Sequence, residues 1–139
     1  MGLVDGVSLG QKITKLHLSP EGLESVVLGK LATVDAYMGQ RWPEYETWPA
    51  DAQLGVLSMA WAMGSAFYFP HFSAAVRVQD FATAATECRM DDTHNRGLTP
   101  RNAANRLLFQ NAAAVLASDA DPDLLRWPER FAAGEPDAA

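Results

Sequence analysis

The sequence predicts an all-α fold, with five or six helices around a buried central helix. Two observations lead to this fold class. Ser19-Pro20 and Thr99-Pro100 each place proline at a first helical position after a capping side chain. Between them, Ala50 to Met63 is apolar around nearly its whole circumference, which is typical of a helix buried on most sides.

The first helix is predicted from Pro20 to about Met38, with Gly39 as its stop. Residues 1–18 before it are Gly-rich and weakly patterned, which indicates a loop or a ragged hairpin. Apolar residues recur at helical spacing along the first helix. They are Leu23, Val27, Leu31, Val34 and Met38.

The middle of the chain holds an ordered loop and three further predicted helices. Residues 39–49 contain two Trp-Pro pairs, and each proline disfavours helix in the residue before it. The central helix follows from Ala50 to Met63, ends at Gly64, and is expected to bury Trp61. A short helix is predicted over residues 69–78, and Asp80 is predicted to cap the next one.

The last long helix is predicted to begin after Thr99 as its N-cap and to end near Ala117. Its pattern places the leucines and Val115 toward the core, and Asn105, Gln110 and Asn111 nearer solvent. The domain organisation is therefore an irregular segment 1–18, a helical domain 19–117 and an acidic Pro/Ala-rich tail 118–139. The tail is expected to hold at most one short helix before it frays.

Composition narrows the function classes. With 139 residues the chain suits one domain, and a net charge of -6 argues against a nucleic-acid partner. Four arginines nevertheless cluster in one segment. The cluster fits three interpretations: a solvated face, caps at helix ends, or an anion-binding face. The four arginines are Arg89, Arg96, Arg101 and Arg106.

Targeting signals and disulfides are not indicated by the sequence. The single cysteine, Cys88, is interpreted as a small, part-buried apolar residue. The N-terminus shows no signal-peptide pattern, and no apolar run reaches the length of a membrane span. We therefore expect a protein made in the cytoplasm without its own export signal, which another system could deliver to the cell wall.

The motifs predict no metal and no cofactor. His17, His71 and His94 stand far apart without ligand spacing, and phosphate-binding glycine patterns are missing. Glu21 and Glu24 are weak candidates for a catalytic pair of carboxylates. Their position in the first turns of a helix is already explained by the helix dipole.

Aromatic residues give the better indication of a ligand. Sugar rings stack on aromatic faces, so the aromatic loop and the next junction are predicted to line a glycan groove, although such residues are also typical of cores. The candidates are Trp42, Tyr45, Trp48, Phe67 and Tyr68.

The order of these segments resembles the helical lobe of phage-type lysozymes. Leu18 to Glu24 is similar to the start of their long connecting helix, and Ala50 to Gly64 to their buried central helix. The helix pair over residues 69–90 and the helix start Thr99-Pro100-Arg101-Asn102 complete the pattern. The resemblance covers roughly residues 18–117, and Arg101 and Asn102 join the predicted glycan-binding set.

The catalytic lobe of that family has little counterpart here. Its general acid is a glutamate at the end of an N-terminal helix, and an aspartate and a threonine follow on a hairpin. Only Val7 to Gln11 resembles the tail of that hairpin, and Ala62 stands where an amide residue is expected. The resemblance therefore implies a non-catalytic module that binds peptidoglycan glycan or serves a phage-derived apparatus.

Two other functions remain open from the sequence. The chain could be an active peptidoglycan muramidase, as a fragment of a longer enzyme or with Glu21 or Glu24 recruited as the acid. It could also be a protein-binding adaptor or inhibitor that reuses the fold, which predicts an exposed apolar patch instead of a cleft.

Overall fold

The computed structural model describes residues 20–131, with side chains from residue 27 onward. Five α-helices and one 3-10 helix make up this part of the chain, and it contains no strand. The helices are α1 (Pro20–Arg41), the 3-10 helix (Tyr45–Thr47), α2 (Ala50–Met63), α3 (Pro70–Arg77), α4 (Phe81–Glu87) and α5 (Leu98–Leu116). The all-α prediction is confirmed, while residues 1–19, including the predicted cap Ser19, and residues 132–139 lie outside the described residues.

Helices α2 and α5 pack against each other and link the remaining helices. Helix α2 contacts α1 and α5, α5 contacts α4, and α4 contacts α3. Asp51 bonds to Asn111, and Gly55 faces the ring of Phe109. Because positions advance on α2 while they fall on α5, the two helices run antiparallel.

The predicted bounds of α2 agree with the structure from Ala50 to Met63. Pro49 directly precedes its first residue. Gly64 ends the helix at a φ of 92°, a conformation that glycine adopts without a Cβ penalty. Helix α1 runs on to Arg41, beyond the predicted stop at Gly39. Glycine inside a helix costs only about 1 kcal/mol, so α1 ends where Pro43 restricts the backbone of Trp42.

Trp61 is a correction. It is only partly buried, and so are Leu54 and Leu57 on the same stripe of α2. The fully buried tryptophans are Trp42 and Trp48 from the loop before α2. A helix that is apolar all round does not reveal from its sequence which stripe its neighbours leave uncovered.

The predicted cap at Thr99 is wrong. Helix α5 begins at Leu98, and the Thr99 hydroxyl instead donates to the Asp92 carboxylate at 2.7 Å. The same carboxylate pairs with Arg89 at 2.9 Å, and Asp92 is buried in the turn before α5. The cap at Asp80 is confirmed, because its carboxylate accepts the Thr83 backbone N–H at 3.1 Å.

Asn105 and Asn111 are also corrections, since both are fully buried instead of facing solvent. The Asn111 amide donates to Asp51 Oδ2 at 3.0 Å and to the Glu129 carbonyl at 2.7 Å. Its Oδ1 accepts the Phe131 backbone N–H at 2.9 Å. Asn111 therefore binds both the core and the segment that follows α5.

Asp51 fastens the same segment. Its carboxylate accepts the backbone N–H groups of Arg126 at 2.7 Å and of Trp127 at 2.9 Å. The Pro122 carbonyl accepts the Ala50 N–H at 2.7 Å. Residues 118–131, predicted to fray after one short helix, are thus irregular but bonded to the start of α2. No described helix is long and apolar enough to cross a membrane.

Candidate ligand-binding surface

Four of the five predicted glycan-binding aromatics lie in the core. Trp42, Tyr45, Trp48 and Phe67 are all buried, and the Trp48 ring packs 5.5 Å from Trp42 and 5.4 Å from Tyr45, centroid to centroid. These rings stabilise the loop before α2 and present no open face to a ligand. Burial, with the hydrogen bond from its hydroxyl to Asp35 at 2.7 Å, raises the pKa of Tyr45.

Tyr68 is the predicted aromatic that faces solvent. It is 67% exposed and follows Phe67 in the turn after α2. A second exposed tyrosine, Tyr37, lies on α1 with 41% of its surface accessible. Exposed aromatic rings of this kind offer an apolar face together with a hydroxyl.

Arg41 connects α1 to the turn after α2. Its guanidinium carbon lies 4.4 Å from the ring centroid of Trp42 and 5.0 Å from that of Phe67. One of its nitrogens donates to the Ser65 carbonyl at 3.2 Å. The guanidinium is thus fixed on an aromatic floor by stacking and by a hydrogen bond.

Burial and the charges of three side chains act on the pKa of Arg41. Burial is the main cause that lowers its pKa, and Arg77 on α3 lowers it further by repulsion. Tyr37 and Tyr68 act in the opposite direction. Arginine stays protonated in proteins, so Arg41 and Arg77 both carry a positive charge.

We call Tyr37, Arg41, Tyr68 and Arg77 the tyrosine–arginine surface. Tyr37 and Arg41 share one face of α1 because they are four residues apart, and the short turn after α2 supplies Tyr68. Neither arginine forms an ion pair with a described carboxyl group. The surface therefore combines two exposed aromatic rings with two cations that lack a carboxylate partner within residues 27–131.

Arg101 and Asn102 lie in the first turns of α5 and are partly buried. The Asn102 amide donates to the Met90 carbonyl and accepts the Met90 N–H, both at 2.8 Å. Its hydrogen-bonding capacity thus holds the turn before α5. The structure does not gather the predicted glycan-binding set into one site.

A pocket of about 240 Å³ lies between α4 and α5 and includes Asn102 in its lining. Its other polar groups are Thr86, Arg89, Arg106 and the Cys88 thiol. Arg89 is already paired with Asp92, and burial raises the pKa of Cys88 to about 11, so the thiol is not a nucleophile at neutral pH. Cys88 is a small apolar residue that is fully buried, where the sequence predicted partial burial, and the pocket shows no reactive centre.

The carboxyl groups give no support to acid catalysis. Glu21 and Glu24 lie in the first turns of α1, and their side chains are outside the described residues. Hydrogen bonds from Thr83, Thr93 and Thr99 lower the pKa of Asp80, Asp91 and Asp92, respectively. A general acid needs a raised pKa. No group of His, Cys, Asp or Glu among the described residues is arranged to hold a metal ion.

Sequence reasoning missed Tyr37, Arg41 and Arg77. Tyr37 and Arg41 are four residues apart and share one helical face, which was a usable signal. Arg77 lies in the last turn of its helix, where the helix dipole already explains a cation.

The fold and this surface define the protein as an all-α domain with an exposed aromatic and cationic face. Comparison with protein-family models, with curated proteins and with solved structures finds no match.

Proposed function

We propose that this chain is a non-catalytic, lysozyme-like helical module that binds the glycan of peptidoglycan through the tyrosine–arginine surface. The carrying observation is the guanidinium of Arg41, fixed over the Trp42 and Phe67 rings, with the exposed Tyr37 four residues before it on α1 and the exposed Tyr68 directly after Phe67. Tyrosine rings pack against the apolar faces of sugars, and guanidinium N–H groups donate to hydroxyl and carbonyl oxygens. Because ring contacts and a hydrogen bond already fix the Arg41 side chain, it loses less conformational entropy when a ligand binds.

The absence of catalysis is part of the proposal. Among the described carboxyl groups, Asp80, Asp91 and Asp92 have lowered pKa values and favour the ionised form. Ala62, near the end of α2, also has no polar side chain to orient a substrate. Hydrolysis of a glycosidic bond requires a protonated acid above the leaving oxygen.

An adaptor function would favour one contiguous apolar patch. The exposed large aliphatic residues instead come from four parts of the chain: α1, the turn after α3, the end of α5 and the segment after it. They are Leu28, Val78, Leu116, Leu124 and Leu125. We favour the tyrosine–arginine surface because the guanidinium of Arg41 is fixed there by two rings and the Ser65 carbonyl.

Co-sedimentation with insoluble peptidoglycan tests the binding. The wild-type chain should pellet with the polymer, and Tyr37→Ala or Tyr68→Ala should each weaken binding roughly threefold to tenfold, as for loss of one aromatic contact. Leu116→Ala is the matched control, because Leu116 is 45% exposed on α5. Failure of the wild type to pellet would contradict the proposal, as would equal losses in the tyrosine and control variants.

A turbidity assay tests the absence of catalysis, with an active lysozyme as positive control. The wild-type chain should not clear the peptidoglycan suspension. Clearance that disappears in Glu21→Gln or Glu24→Gln would instead identify a muramidase.

A further inference from the structure

The pocket between α4 and α5 is lined by two arginines and by no acidic side chain among the described residues. Arg89, which comes soon after α4, and Arg106 on α5 both line this cavity of about 240 Å³. The whole chain nevertheless carries a net charge of -6. Two cations from separate elements at one cavity therefore create a local positive potential on an acidic protein.

Arg89 is held in place by an ion pair that occupies one of its nitrogens. Its Nη2 donates to Asp92 Oδ1 at 2.9 Å, and the Thr99 hydroxyl donates to the other carboxylate oxygen at 2.7 Å. Asp92 is buried, whereas the Arg89 side chain remains 66% exposed. Because a guanidinium has five N–H donors, Arg89 keeps several of them for a ligand in the pocket.

Arg106 supplies the second cation. It is exposed and lies four residues after Asn102, so the two side chains share one face of α5. Arg106 forms no ion pair with a carboxyl group within residues 27–131. Neutral donors line the same pocket, namely the Thr86 hydroxyl and the Asn102 amide, which bonds to the Met90 carbonyl through one of its two N–H groups.

The donors favour a phosphate group over a carboxylate. A carboxylate is planar, and the fork of one guanidinium already matches its two oxygens. A phosphate monoester has three terminal oxygens and a charge of about -1.5 to -2 at pH 7, so it can accept from two guanidiniums on different elements.

The rest of the lining limits the size of the ligand. Ala85, Ala103 and Cys88 give the pocket an apolar wall. The cavity is smaller than the roughly 300 to 1,000 Å³ of sites for drug-sized ligands. A short organic group attached to the phosphate suits this space, and its apolar part gains by leaving water.

We propose that this cavity, the arginine pocket, binds the phosphate group of a small phosphate monoester. Arg89 and Arg106 donate to the phosphate oxygens, and the organic group lies against the apolar wall. The arginine pocket shares no residue with the tyrosine–arginine surface, so this proposal does not rest on glycan binding.

Amide NMR titration of the full chain tests the proposal with three probes: ethyl phosphate, inorganic phosphate and propionate. We expect ethyl phosphate to bind with a Kd of about 1 mM, in keeping with its few atoms. Inorganic phosphate should bind roughly threefold more weakly, because it lacks the apolar contact. Propionate should bind at least about tenfold more weakly, because it offers fewer oxygens and less charge.

The amide shifts also locate the ligand. We expect the largest changes at Thr86, Ala103 and Arg106. Changes confined to Ser65 and Tyr68 would place the anion on the tyrosine–arginine surface and overturn the proposal. Propionate binding as tight as ethyl phosphate would contradict the phosphate, and equal affinity for inorganic phosphate would contradict the monoester. No shift change up to roughly tenfold above the expected Kd would also overturn it.

Variants separate the pocket from the overall charge. Arg106→Gln should weaken ethyl phosphate binding about tenfold, and Arg106→Lys less, because lysine keeps the charge but loses the fork. Arg130→Gln makes the same charge change at an exposed residue after α5, and should leave the affinity unchanged. Equal losses in Arg106→Gln and Arg130→Gln would reduce the effect to net charge and overturn the proposal.

A filled pocket gives an independent check. Ala103 is exposed on α5, and leucine is also a good helix former, so Ala103→Leu should fold as shown by thermal melts. Its larger side chain should weaken ethyl phosphate binding about tenfold or more without any change of charge. Unchanged affinity in Ala103→Leu would contradict binding inside the cavity, whereas peptidoglycan co-sedimentation should be the same as for the wild type.

Discussion

Two asparagines on α5 are fully buried in opposite surroundings. Asn111 bonds to Asp51, Glu129 and Phe131, whereas neither polar atom of the Asn105 side chain has a hydrogen-bond partner within the described residues. Burying a polar group without a partner costs free energy, and removing one partner of a buried network strands the others.

The same substitution should therefore act differently at the two positions. We expect Asn111→Leu to lower the free energy of unfolding by about 3 kcal/mol, because it leaves the Glu129 carbonyl and the Phe131 N–H without a partner and removes one hydrogen bond from the buried Asp51 carboxylate. Asn105→Leu should stay within about 1 kcal/mol of wild type, since the lost polar group had no partner. Denaturant melts measure both, and equal losses would contradict the account of Asn105.

Gly55 on α2 lies close against the ring of Phe109 on α5. A Cβ at this position would lie 2.6 Å from Cζ of Phe109, whereas one at Gly29 on α1 would meet nothing within 4 Å. Gly55→Ala should destabilise by about 1 to 3 kcal/mol through overpacking. Gly29→Ala should stabilise by up to about 1 kcal/mol through helix propensity.

The comparison of these two glycine variants uses denaturant melts under one set of conditions. Phe109→Leu in the Gly55→Ala background should recover part of the loss, because the smaller side chain makes room for the methyl group. If Gly55→Ala stabilises the chain, α2 and α5 move apart to admit the methyl group without a loss of folding free energy.

At the scale of the element, α4 depends on its cap. The Asp80 carboxylate accepts the Thr83 backbone N–H at 3.1 Å and the Thr83 hydroxyl at 2.7 Å, and these bonds lower its pKa. Because the folded pKa lies below the unfolded value of about 4, the stabilisation is present above that pH. It is lost as the pH falls through the folded pKa.

We therefore expect Asp80→Ala to lower the melting temperature at pH 7, and Asp80→Asn to lower it less because asparagine also caps helices. The difference between wild type and Asp80→Ala should shrink as the pH falls below about 4. Asp119→Ala, at an exposed aspartate after α5, is the control. If this difference in melting temperature stays constant down to acid pH, the ionised Asp80 carboxylate does not stabilise the start of α4.

At the scale of the whole molecule, the segment 118–131 is fastened to the helical core by Asp51. This carboxylate is 1% exposed and accepts two backbone N–H groups from the segment. Asparagine in its place would turn an amide N–H₂ toward one of these donors.

We expect Asp51→Asn to cost about 2 kcal/mol and to speed hydrogen exchange at the amides of Arg126 and Trp127. Asp123→Asn, in the same segment but exposed, should change neither quantity. Unchanged exchange at both amides in Asp51→Asn would show that other contacts hold the segment.

The sequence by itself determined the helical class and most helix bounds. Pro49 and Gly64 delimit α2, and Asp80 starts α4, because proline, glycine and capping side chains act on the backbone within a few residues. At Thr99 the same local logic failed, because α5 begins one residue earlier at Leu98 and the Thr99 hydroxyl donates to Asp92.

Only the tertiary structure decided which side chains are buried and which meet at the surface. Asp51 and Asn111 are 60 positions apart in the chain, yet each satisfies the other in the core. Trp42 and Trp48 fill that core while Trp61 stays partly exposed. Burial depends on which helices cover a face, so the tyrosine–arginine surface, drawn from α1, the turn after α2 and α3, exists only once these elements pack.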